Sequence, residues 1–126
     1  MRYLLDSTLL IDHANADPPA AALLDRLFSE GHELFICDVI TCETLSRGDP
    51  KHLRRIRGLL DALEYVATSP TAARWAGESR RKRHLNGGRR ALGDALIAGV
   101  AYELSATVVM RNRPDFERQE IPTLSY

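Results

Sequence analysis

The sequence predicts an α/β domain built on a parallel sheet flanked by helices. Two observations lead there. Short, apolar, partly β-branched or aromatic segments alternate with longer helix-like ones, and at three places a Ser or Asp stands directly before a proline where a helix should begin. A length of 126 residues suits one compact domain, 1–126, with no repeat, low-complexity tract or linker to divide it.

Arg2–Leu5 reads as the first strand and runs into a helix over Ser7–Asn15. Asp17-Pro18 opens the next helix: the carboxylate accepts from an otherwise unpaired amide, and the fixed φ of proline suits the first turn. Glu33–Cys37 is the second strand, followed by a helix over Asp38–Arg47, and Asp49-Pro50 starts another. Glu64–Ala67 is the third strand, and Ser69-Pro70 begins a helix that Asn86-Gly87-Gly88 breaks. Leu92–Leu104 is the last helix, Thr107–Met110 the fourth strand and Pro122–Ser125 a fifth.

A composition of 44% hydrophobic and 27% charged residues is that of a soluble globular protein, neither disordered nor membrane-spanning. Asp6 and Asp12 interrupt the first apolar stretch, where a secretory signal needs an unbroken one, so a cytoplasmic location is expected. Cys37 and Cys42 have no Cys or His partners at zinc-ligand spacing and are expected to be buried small hydrophobes. Lys plus Arg equals Asp plus Glu at 17 each, so any attraction for nucleic acid must be local.

Asp6 follows directly on the first strand, at the carboxyl end where open α/β sheets place their ligand crevices. Taken alone it is equally a cap for the helix that follows. Glu43 shares a helix face with Val39 and Ile40, and Asp94 is in line with Ile97, Ala98 and Ala101. A carboxylate on such a face must be protonated, paired or bound to a cation, since burying it ionised and alone costs several kcal/mol, on the order of 3–5. A salt bridge to an arginine is the other reading for each. After the fourth strand, Asn112 and Asp115 point at the same crevice, though Asp115 also suits a turn after Pro114. Jointly these acids describe an all-oxygen site suited to a hard cation such as Mg²⁺ or Mn²⁺.

The sequence resembles the PIN-domain ribonucleases, and more closely the VapC toxins of bacterial toxin–antitoxin pairs. The resemblance rests on Leu4-Leu5-Asp6-Ser7 with Leu9-Leu10-Ile11-Asp12, on Val39-Ile40-Thr41-Cys42-Glu43-Thr44-Leu45, on Gly93-Asp94-Ala95-Leu96-Ile97-Ala98 and on Arg111-Asn112-Arg113-Pro114-Asp115-Phe116, in the family's order over nearly the whole chain. It implies a three-layer α/β/α sandwich with a central, mainly parallel sheet of four to five strands. It implies Mg²⁺- or Mn²⁺-dependent cleavage of RNA, a cognate VapB-like antitoxin and a homodimer. By position, Asp6, Glu43 and Asp94 match the family's first three acids, with Asp6 and Asp94 as metal ligands and Ser7 in support. The sequence departs from the family at Met110, where Thr is frequent, and at Asn112, where many members carry an acid; Asp115 is then the candidate for the missing carboxylate, with Asn112 in support.

Arg80-Arg81-Lys82-Arg83-His84 and Arg89-Arg90 concentrate positive charge just before Asp94, so Arg89 and Arg90 are candidate contacts for an RNA phosphate, although a solvated helix face and loop is an equal reading. Lys51, Arg54, Arg55 and Arg57 form a second basic face to which the solvated reading applies more strongly. Trp75 is expected to pack between helices and His84 to lie on the surface. Leu9, Leu10, Leu23, Leu24, Leu27 and Phe28 suit either a groove for an antitoxin helix or ordinary core. Two other functions compete: a phosphoacceptor receiver domain, which lacks an acceptor Asp at the third strand and a Lys after a later one, and a catalytically silent module that binds RNA or a partner.

Overall fold

The computed structural model describes residues 1–111 and 121–126. Five strands, β1 (Arg2–Leu5), β2 (Glu33–Cys37), β3 (Glu64–Val66), β4 (Thr107–Met110) and β5 (Thr123–Ser125), form one sheet in the order β3-β2-β1-β4-β5, and every pairing is parallel. Six helices intervene: α1 (Ser7–Ala14), α2 (Pro18–Ser29), α3 (Asp38–Arg47), α4 (Leu53–Asp61), α5 (Pro70–Leu85) and α6 (Leu92–Leu104). The chain adds strands outward from β1 to β3, then crosses back to lay β4 on the other side of β1. Right-handed crossovers in opposite directions put their helices on opposite faces. Accordingly α1 packs with α2, α3 and α4, while α5 packs chiefly on α6.

The proline boundaries hold. Asp17 and Ser69 accept from the amides of Ala20 and Ala72, two residues into their helices. Asp49 caps in the same way, but what it opens is a 3-10 turn over Pro50–His52 that leads into α4. The third strand stops at Val66, one residue short of the expectation. There Asp38 Oδ1 accepts from Thr68 N (3.1 Å) and Thr68 Oγ1 (2.7 Å), turning the chain out of the sheet.

The core joins the β1, β2 and β4 side chains to Leu9, Leu10, Leu24 and Leu27 of the first two helices, which are therefore ordinary core; Phe28 alone of that set is exposed. Cys37 is buried as expected, and burial pushes its thiol up to about 11. Cys42 corrects the expectation: it is exposed, because α3 turns Ile40 and Thr44 inward and Cys42 away from them. Among the described residues no helix is long and apolar enough to cross a membrane.

Candidate active site

Because β1 is the central strand at which the order of connection reverses, its carboxyl end is where an α/β sheet opens a crevice. Asp6 stands there, 1% exposed, with its backbone N–H donating to Val109 O of β4 (2.9 Å). It is also the N-cap of α1, as the capping reading expects. Its Oδ2 accepts from Thr8 N (3.2 Å) and from Thr8 Oγ1 (2.7 Å), which fixes the carboxylate's orientation. Ser7, the first residue of α1, is buried beside it in the chain.

Glu43 comes from α3 and Asp94 from the first turn of α6, where the helix dipole favours negative charge. Gly93 directly precedes Asp94 in that turn. A Cβ there would lie 3.4 Å from Glu43 Oε2 and 3.7 Å from its Cδ, ordinary contact distances, so the Glu43 carboxylate rests against the start of α6. Arg47 Nη1 is 3.6 Å from the same oxygen, an exposed i,i+4 pair of modest worth. Ile97, Ala98 and Ala101 are fully buried, as the face shared with Asp94 requires. Among the described residues no three His, Cys, Asp or Glu side chains are gathered tightly enough to complete a metal site. Asn112 and Asp115 lie outside the described residues.

The sequence reading missed a polar network behind Asp6. Arg111, the residue after β4, donates from its backbone N to Thr8 Oγ1 (3.1 Å), so one hydroxyl joins Asp6 to the end of β4. The Arg111 guanidinium forks onto Asp12, with Nε on Oδ2 at 3.0 Å and Nη2 on Oδ1, and Tyr126 OH donates to Asp12 Oδ2 (2.6 Å). Burial pushes the Asp12 carboxyl up, but the hydrogen bonds from Arg111 and Tyr126 together with the Arg111 charge outweigh it and hold the group below its ordinary value. Burial, and then the bond to Asp12, raise the Tyr126 phenol, so it stays a donor. The signal was legible in part: Asp12 directly follows the apolar run Leu9-Leu10-Ile11 and is itself buried on α1.

The basic candidates separate. Arg89 is exposed, whereas Arg90 is turned inward with its guanidinium 5.6 Å from the ring centre of Trp75. Trp75 in turn stacks on Tyr102 of α6 (5.4 Å, 19°), so it is a helix-packing residue, and His84 is on the surface.

The PIN domain family model matches residues 3–121. A curated ribonuclease, VapC19 of Mycobacterium tuberculosis H37Rv, is 27% identical over 111 residues, covering 86% of this chain and 87% of that one. Among solved structures, VapBC2 of Rickettsia felis, bound to a fragment of its promoter DNA, superposes with a TM-score of 0.86 at 22% identity, covering 100% of this chain and 99% of that one. The DNA-bound VapBC of Salmonella typhimurium gives 0.84 at 21% identity, covering 99% and 98%. With the matched region running from within β1 to two residues before β5, the chain belongs to the PIN domain family.

Proposed function

We propose that this chain is an endoribonuclease acting as the toxin of a type II toxin–antitoxin pair, with Mg²⁺ or Mn²⁺ held by its strand-end carboxylates. The observation that carries this reading is the Glu43 carboxylate seated against Gly93 beside Asp94, at the same edge of the sheet as the buried Asp6. Similarity to VapC19, itself a ribonuclease, supports the activity, and similarity to VapBC complexes supports a VapB-like antitoxin as partner. The proposal includes a homodimer and a cytoplasmic site of action.

The donor set fits a hard divalent cation, since Asp6, Glu43 and Asp94 offer oxygen with neither thiolate nor imidazole among them. When bound, such an ion supplies Lewis-acid activation of water and neutralises charge on the phosphodiester. Asp6 and Asp94 are the main ligands and Glu43 stands beside them. Thr8 holds Asp6 in one orientation, and Ser7 supports it. Asp115 is the candidate for a further carboxylate and Asn112 for a neutral oxygen able to orient water, both lying outside the described residues.

The test is Asp94→Asn, nearly isosteric but uncharged. Wild type should cleave RNA with Mn²⁺ and not with chelator, and the variant should fail under both conditions while melting no lower than wild type in chelator. Full activity in a folded variant would remove Asp94 from the site. RNA binding without cleavage by the wild type would leave a silent binding module instead.

A further inference from the structure

An open groove of about 550 Å³ lies between the C-terminal half of α5 and the segment that leads into α6, lined among others by Arg80, Arg81, His84, Gly88, Arg89 and Arg90. Among the described residues no acidic side chain lines it, although the chain as a whole is neutral. Arg80 and Arg81 come from the helix, and Arg89 and Arg90 from the returning segment, so folding itself brings like charges together. That arrangement repels itself until a polyanion enters.

The groove is held in shape by specific contacts. Gly87 takes a left-handed φ of +78°, and Gly88 N donates to Arg83 O (2.8 Å), folding the chain back on α5. A Cβ on Gly88 would lie 3.3 Å from Arg83 Cγ, so the return is close. Arg80 Nε donates to Arg90 O (3.2 Å), and the Arg90 guanidinium is laid over Trp75, itself stacked on Tyr102. Arg90 is therefore part of the wall, and Arg81 and Arg89, both exposed, are the residues positioned to meet a ligand.

Resting on the ribonuclease reading above, we infer that this groove binds the sugar–phosphate backbone of a single-stranded stretch of RNA flanking the bond to be cut, with Arg81 and Arg89 on phosphates and Arg90 as a positioning residue. Two features favour RNA over an acidic protein segment. The groove is built entirely of arginines among its cations, whose planar forks match phosphate oxygens. Its returning segment also leads, four residues after Arg90, to Asp94 in the first turn of α6, so the groove and this carboxylate are neighbours along the chain.

The experiment uses the full chain carrying Asp94→Asn, so that RNA is not consumed, and a fluorescent single-stranded RNA whose Kd is followed by anisotropy against salt. Adding Arg81→Ala with Arg89→Ala should flatten the log–log slope by about 1.4, two contacts at roughly 0.7 each for a single strand. Lys51→Ala with Arg54→Ala, which removes the same charge from the other basic face, should change it by less than about 0.3. Arg90→Met, which keeps bulk over Trp75, should also leave the slope nearly unchanged. Equal flattening by the two double variants, or displacement of RNA by polyglutamate at matched charge, would overturn the proposal, the second in favour of an acidic protein ligand. A fall of about 0.7 in Arg90→Met would make Arg90 a phosphate contact and overturn its assignment to the wall. Cleavage by wild type with Mn²⁺ is read separately: groove-dependent binding without it sinks the nuclease reading and leaves the groove standing.

Discussion

Replacing Asp12 by Asn tests whether the network behind Asp6 is structural in the way its geometry implies. Asparagine keeps the shape and can still accept from Tyr126, but it loses the paired charge under Arg111. Two charge-assisted hydrogen bonds are removed, worth about 1.5–3 kcal/mol each when well shielded. The Arg111 side chain is 56% exposed against 13% for Asp12, so water screens the pair and recovers part of the arginine's hydration. We expect a net cost of about 2 kcal/mol at pH 7, a fall of roughly 6–10 °C in Tm for a domain of this size. Because the folded-state pKa of Asp12 is depressed, its contribution is present above the unfolded value of about 3.9 and is lost as pH falls through the folded one. Urea melts at pH 7 and near pH 3 should therefore show the gap between wild type and variant narrowing in acid. A gap of equal size at both pH values, or none at pH 7, would refute the reasoning.

Two glycines give sharper steric tests. A Cβ on Gly99 would stand 2.3 Å from Ala72 O, so Gly99→Ala must push α5 off α6; overpacking of about 1–3 kcal/mol, less about 1 kcal/mol of improved helix propensity, predicts net destabilisation in a urea melt, and a raised midpoint would contradict it. Gly93→Val puts branched bulk where Glu43 rests, and should weaken Mn²⁺ binding by about tenfold, roughly 1.4 kcal/mol, in a calorimetric titration; unchanged affinity would place the Glu43 carboxylate outside the metal site.

The secondary elements were legible because each is marked locally. Asp17-Pro18, Asp49-Pro50 and Ser69-Pro70 carry both a cap and a fixed φ, and nothing distant alters either. The candidate acids were legible as anomalies, charges on faces that their neighbours bury. What the sequence could not supply was pairing across the chain. Asp12 meets Arg111 and Tyr126 from the far end of the sequence, and Arg90 finds Trp75 from another helix, so adjacent arginines that look alike in a charge run point in different directions. Cys42 shows the same limit, since composition predicts burial and only the rotation of α3 decides it.

The placement of β1 has a consequence for timing. β1 pairs on one side with the nearby β2, Tyr3 against Leu34, yet its other neighbour, β4, sets Thr107 against the same Tyr3 from far along the chain. Until β4 docks, Asp6 N–H has no Val109 carbonyl to bind, and the Thr8 hydroxyl has no Arg111 amide. The crevice is thus closed by a long-range pairing, whose loop-closure entropy grows only slowly with length but slows folding. A chain in which β4 is still undocked holds Asp6 at the end of a half-built sheet, without the Val109 and Arg111 contacts that fix its surroundings.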